Sequence, residues 1–232
     1  MVDTLLGEMS SRNELSVFIT DGQRRQVLRG LFANYYGVEF AAEVVFDTSR
    51  VWCSKLPVLS GIFPESKMIA CVRHVSWIVD SVERAIQKNA LRPSFMFNFQ
   101  TGGTVYNRVE GLANGDGLVG FSYNALKEAF YGEHARHLML LQYETLVSDP
   151  AKAMAAVYDF IGEPPFRHDF DNVHFNVDEF DAHTGMPGLH AVGKKVAAAE
   201  RKSVLPPDIF RRFENEAFWL NARANIRGVR VV

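Results

Sequence analysis

Hydrophobic and polar positions along the chain follow two periods, and the switches between them mark out helices and strands. Behind Thr20 and Asp21, which suit a helix N-cap, Val27, Leu28, Leu31, Phe32 and Tyr35 recur at helical spacing, and Gly37 closes the run. AEVVFD (42–47) reads as a short buried strand, and a helical turn or two follows over 54–63, ended by Pro64. KMIACV (67–72) is the next strand, and an amphipathic helix follows over 75–88. Residues 90–117 hold Pro93, Gly102, Gly103, Gly111, Gly115 and Gly117, a long loop region with room for one short helix. LVGFSYNALKEAFYG (118–132) predicts a helix and HLMLLQYE (137–144) a strand. PAKAMAAVYDFIG (150–162) predicts a helix with Pro in its first turn and Gly after its end. Patterning is weak from 163 to about 207, and DIFRRFENEAFW (208–219) makes a last helix.

Strands that alternate with helices predict an α/β fold: a parallel sheet with helices on both faces, in one domain spanning 1–232. Ligands of such sheets sit outside the carboxyl ends of the strands. Arg73 and Tyr143 stand at two of those ends.

Composition narrows the function classes. The 25 basic and 27 acidic residues are well mixed and the net charge is −2, so there is no electrostatic footprint for nucleic acid. Cys53 and Cys71 are too few for a disulfide framework, and neither CxxC nor HExxH is present to suggest a metal. The first residues, MVDTLLGEMSSRNELSVF, lack a basic leader segment and carry Asp3 and Glu8, which argues against a signal peptide. No apolar run approaches the ~20 residues of a membrane span. The expectation is a cytoplasmic protein.

The candidate chemistry centres on VRHVSWIVDSVERA (72–85). Arg73 ends a buried strand with a planar, permanently charged fork suited to phosphate. The helix that follows offers its first amides near Val75 and, two turns on, the Ser81 hydroxyl. Each feature alone has an ordinary structural explanation; together they describe a phosphate site. Gly188 to Lys195 fits GxxxxGK but has Lys195 where Mg²⁺ binding needs Ser or Thr, and no strand precedes it, so it reads as a basic loop. The run from Gly120 to Asn124 fails the nucleophile-elbow pattern and reads as helix start and core. The seven histidines show no ligand spacing, and for His74 a solvated or capping role is expected. His190 and Glu110 lie in stretches that could approach a substrate. Phe95, Phe97 and Phe99 alternate with polar residues, as a strand edge or an aromatic cleft would.

The segment VRHVSWIVDSVERA resembles the 3′-phosphate-binding segment of the sulfotransferases. In that family a strand-end Arg and a helix Ser eight residues later hold the 3′-phosphate of 3′-phosphoadenosine 5′-phosphosulfate (PAPS); Arg73 and Ser81 match them. LLQYETLVSDPAKAMAAVYDFIGEPP resembles the family's segment whose tyrosine packs near the adenine, matched by Tyr143. PGLHAVGKKVAAAERKSVLPPDIFRRFEN resembles a late basic loop that closes on the donor, which makes Lys194 and Lys195 candidate contacts. The resemblance covers 44 to about 216 and implies transfer of a sulfuryl group from PAPS to a hydroxyl or amine on a small-molecule or peptide acceptor, without a metal.

The departures are specific. The family opens with a strand and a P-loop-like turn that grips the 5′-phosphosulfate, and nothing of that kind precedes Leu5. The expectation is a sheet without its first strand–loop–helix unit, with the neighbouring strands facing a gap or closing up. A lysine that many members carry near the Thr48 position has only Arg50 or Lys55 as substitutes, and no catalytic base is assigned. The competing readings are a non-catalytic remnant that still binds nucleotide, and a nucleotide kinase, which the missing GK[ST] disfavours.

Overall fold

A computed structural model describes residues 1–37, 44–91 and 103–232, which divide into two compact units, Met1–Ser66 and Lys67–Val232. The first is helical. Helix α1 (Val2–Glu8) leads through a 3₁₀ turn (Glu14–Phe18) to α2 (Asp21–Tyr36), and a 3₁₀ helix (Arg50–Lys55) runs into α3 (Leu56–Ile62). Thr20 caps α2 as its sequence predicts. Its hydroxyl accepts from the Gln23 amide while the Gln23 side chain accepts from the Thr20 amide. Gly37 ends the helix at φ 55°, a conformation that favours glycine. Met9, Leu28 and Ile62 form the buried core of this unit.

The strand expected over 42–47 is absent from its described part. Residues 44–47 form no regular structure, and Val44, Val45 and Phe46 are exposed. A β-branched run becomes a strand only where a neighbour pairs with it. Here Asp47 anchors the segment instead, accepting hydrogen bonds from the Tyr36 hydroxyl and, at 2.9 Å, from the Trp52 indole.

The second unit is α/β. Strand β1 (Met68–Val72) runs into α4 (Val75–Lys88) through Arg73 and His74 alone. Then come α5 (Val105–Ala113), α6 (Leu118–Tyr131), β2 (Leu138–Gln142), α7 (Tyr143–Ser148) and α8 (Pro150–Ile161). Helices α9 (Asp178–His183) and α10 (Pro207–Arg212) and a short strand β3 (Arg230–Val231) complete it. All pairings are parallel, in the order β1-β2-β3. β1 and β2 pair over their full length, Met68 opposite Leu138 through Val72 opposite Gln142, so these strands close up and leave no gap between them.

On β2, Met139 and Leu141 pack with Ala153 and Val157 of α8. Leu138 and Leu140 point the other way and are equally buried, so both faces of the central strand β2 are covered, whereas the edge strand β1 is only partly buried. Helix α4 buries Val75, Val79 and Val82 against Val109 and Leu112 of α5, Val119 of α6, and Leu205, Ile209 and Phe213. Helix α6 meets the end of α5 closely: a Cβ on Gly120 would stand 1.9 Å from the Asn114 carbonyl oxygen, so only glycine fits. This is the structural role expected of the run from Gly120 to Asn124. Three boundaries differ from the hydrophobic pattern. Tyr143 opens α7 and does not end β2. The helix of 208–219 stops at Arg212, because Phe218 turns into an aromatic cluster with Tyr123, Phe130 and Tyr131. β3 is two residues long and carries no periodic signal. Phe95, Phe97 and Phe99 lie outside the described residues.

Candidate functional site

The register of the sheet places the first two site residues. Because Val72 pairs with Gln142, the next residues, Arg73 and Tyr143, emerge side by side at the carboxyl ends of adjacent strands. The guanidinium carbon of Arg73 lies 3.9 Å from the centroid of the Tyr143 ring and 5.8 Å from that of Trp77. Two aromatic rings thus hold the guanidinium by cation–π attraction while leaving it without a described anionic partner. Arg73 has no ion pair among the described residues, and its buried Nε has no hydrogen-bond partner there.

Helix α4 brings up the rest. Trp77, Asp80, Ser81 and Arg84 share one stripe at i, i+3, i+4 and i+7. Asp80 is fully buried. Arg201 reaches its Oδ2 at 3.0 Å and Arg84 at 3.5 Å, while the Ser203 hydroxyl and Val204 amide donate to Oδ1 at 2.8 and 2.7 Å. Arg201 also lies over the Trp77 ring, 5.5 Å from its centroid, on the indole that Arg73 approaches. Arg84 donates to the Lys202 carbonyl at 2.7 Å. The buried Nε atoms of Arg84 and Arg201, like that of Arg73, lack acceptors.

Two guanidiniums therefore share one carboxylate and a third, Arg73, stands close by without one, so the cluster of three arginines and one aspartate carries excess positive charge. Burial first, then the proximity of Arg73 and Arg84, pulls the Arg201 pKa below the usual guanidinium range against the opposing pull of Asp80. Partly desolvated cations with orphaned donors favour an anionic ligand, since unpaired buried charge is costly. The amides that open α4 add donors and partial positive charge beside Arg73.

The other expected residues fall as follows. Ser81 is exposed on the α4 stripe, and its hydroxyl makes no hydrogen bond among the described residues. Lys194 is exposed; Lys195 pairs with Asp171 at 2.7 Å, both largely exposed. From that late segment it is Arg201 that the structure brings to Arg73. Glu110 is held by Arg212, whose hydrogen bond lowers the carboxyl pKa, so it is a weak base at neutral pH. Asp181 is buried and accepts from the His190 amide at 2.9 Å and contacts His190 Nδ1 at 2.5 Å. Burial pushes the Asp181 pKa up, but the hydrogen bonds from His190 outweigh this and hold it below the usual value. Lys55 pairs with Asp3, and Arg50 is exposed. His74 holds the N-cap position of α4 without a side-chain cap bond. Among the described residues no cluster suits a metal ion and no helix is long and apolar enough to cross a membrane.

Trp77, Asp80, Arg84 and Arg201 are the residues that reading the sequence missed. Asp80 had a signal: it falls beside the apolar stripe of Val75, Val79 and Val82, where a carboxylate needs a cationic partner.

Fold and site together define a parallel α/β protein with a guanidinium cluster at the carboxyl ends of its strands. The profile of the Sulfotransferase family matches residues 13–168, about two-thirds of the chain. The chain belongs to the sulfotransferase family, whose general chemistry is sulfuryl transfer. No curated protein and no solved structure gives a match.

Proposed function

We propose that this chain uses PAPS as sulfuryl donor and transfers the group to a hydroxyl or amine of a small-molecule or peptide acceptor. The observation that carries the reading is the stacked, unpaired guanidinium of Arg73 beside Arg84 and Arg201. Orphaned donors and excess positive charge are what a bound phosphate would satisfy. Arg73 and Ser81 hold the 3′-phosphate, with Arg201 and Arg84 supplying further positive charge. Tyr143 lies near the adenine; the ring face that Arg73 covers is closed to the base, so contact uses the rest of the ring. Lys194 and Lys195 act as outer cations of the same loop. The donor supplies an activated sulfuryl group; the chain's contribution is positioning and charge stabilisation, as in phosphoryl transfer.

Calorimetry tests this directly. Adenosine 3′,5′-bisphosphate should bind without Mg²⁺ and well ahead of AMP, and turnover of PAPS with an acceptor should be measurable. A preference for Mg·ATP would overturn the reading in favour of a kinase. Tight bisphosphate binding without any turnover would make the chain a nucleotide-binding module.

A further inference from the structure

Asp80 is an unusual presence in a cluster built to attract anions. Its carboxylate is fully buried, in the residue directly before the exposed Ser81, and carries the charge that an anionic ligand would be repelled by. Yet four groups converge on it, and three of them, Arg201, Ser203 and Val204, come from one short segment 121–124 residues away. That segment leads into Leu205, Ile209 and Phe213, which pack on the apolar face of α4. Nothing in the irregular stretch before it supplies a regular element to hold Arg201 in place; residues 184–204 contain no helix or strand. The Asp80 carboxylate is where most of the segment's contacts with α4 converge, beside the Arg84 bond to the Lys202 carbonyl.

We infer that Asp80 is a positioning residue of the anion site: its buried carboxylate docks the 201–204 segment on α4 and aims Arg201 alongside Arg73. The inference rests on the proposed reading of this cluster as the site of the donor's phosphate. The geometry divides the work between the two oxygens. Oδ1 takes the Ser203 hydroxyl and the Val204 amide and fixes the backbone; Oδ2 makes no hydrogen bond among the described residues and attracts the Arg201 and Arg84 guanidiniums as ion pairs at 3.0 and 3.5 Å. Arg201 is then held on both sides, by Asp80 and by the Trp77 ring and carbonyl. A long flexible side chain is ordered before a ligand arrives, which removes a cost that binding would otherwise carry.

The inference makes a prediction of opposite sign to simple electrostatics. Asp80→Asn adds one positive charge to the cluster, and charge alone would make anions bind more tightly. If Asp80 positions Arg201, the substitution weakens binding, by roughly tenfold, the scale of one charge-assisted phosphate contact. The experiment is calorimetry of adenosine 3′,5′-bisphosphate and, separately, pyrophosphate on the wild type, Asp80→Asn, Arg201→Ala and the double variant. Weaker binding in Asp80→Asn, with no further loss when it is added to Arg201→Ala, is the expected result, because the first acts through the second. Glu83→Gln removes an equally buried carboxylate, one that pairs with Arg108 instead, and should leave affinity unchanged. Equal loss in Glu83→Gln and Asp80→Asn would reduce Asp80 to a structural role.

Unchanged or tighter binding in Asp80→Asn would overturn the inference outright. If Asp80→Asn does not fold, Ser203→Ala removes one anchor of the same segment and should weaken binding in the same direction, by a few-fold; wild-type affinity there would count against the inference. Pyrophosphate separates the two levels of the argument. A wild type that binds pyrophosphate but not the bisphosphate removes the nucleotide reading while Asp80 is still judged on pyrophosphate. A wild type that binds neither removes both.

Discussion

Two sets of basic residues in this chain look alike in sequence and differ in physical state. Arg73, Arg84 and Arg201 are partly buried, stacked on aromatic rings or tied to one carboxylate, and their Nε atoms have no acceptors. Lys194 and Lys195 lie in an exposed loop, where Lys195 faces the exposed Asp171. Water and salt screen the second set, and its ion pair contributes little. The first set keeps its charge in surroundings of lower dielectric, where an added anion is worth far more. What makes an anion site is therefore the state of the donors, not the number of basic residues in a segment.

The largest effect that could break this comparison is Arg73→Ala. Losing a charge-assisted phosphate contact costs about 1.5–3 kcal/mol, so affinity for adenosine 3′,5′-bisphosphate should fall about tenfold or more by calorimetry. Arg201→Ala should come next, at about tenfold, with a shallower dependence of affinity on salt than the wild type. Tyr143→Ala sharpens the contrast in another way. A ring that merely stacked on adenine would weaken bisphosphate and AMP alike. A ring that also holds the Arg73 plane should cost the bisphosphate more, by about 0.5–2 kcal/mol of cation–π support, and Tyr143→Phe should restore most of it. Replacing Lys194 and Lys195 together should have the smallest effect, under about twofold at physiological salt. A loss as large as that of Arg73→Ala would place the loop lysines in the site.

Much of the strand-end geometry was legible because it is local. KMIACV ends on Arg73, HLMLLQ ends before Tyr143, and a parallel register does the rest by placing the two carboxyl ends together. The amphipathic stripe of α4 fixed the rotation that carries Trp77, Ser81 and Arg84 on one side. Arg201 was not legible. It lies in a stretch without periodicity, and its contacts cross more than 120 residues of chain to Trp77 and Asp80. The resemblance of the late segment to a basic loop points to that region, where the lysines of the GxxxxGK-like run stay exposed and packing brings the arginine inward. The same limit applies to β3, whose two residues pair with β2 only because the tail returns to the sheet edge. The exposed run at 44–46 shows the converse: strand-forming residues without a described partner strand form none.

The central claim is that a stacked planar fork at position 73, and not merely a positive charge, makes the site. Arg73→Lys tests it, because lysine keeps the charge but offers neither the fork nor the planar group that sits 3.9 Å from the Tyr143 ring centroid. Titrating adenosine 3′,5′-bisphosphate into this variant should give an affinity close to that of Arg73→Ala, about tenfold or more below the wild type. Wild-type affinity in Arg73→Lys would show that charge alone suffices, and would contradict the account.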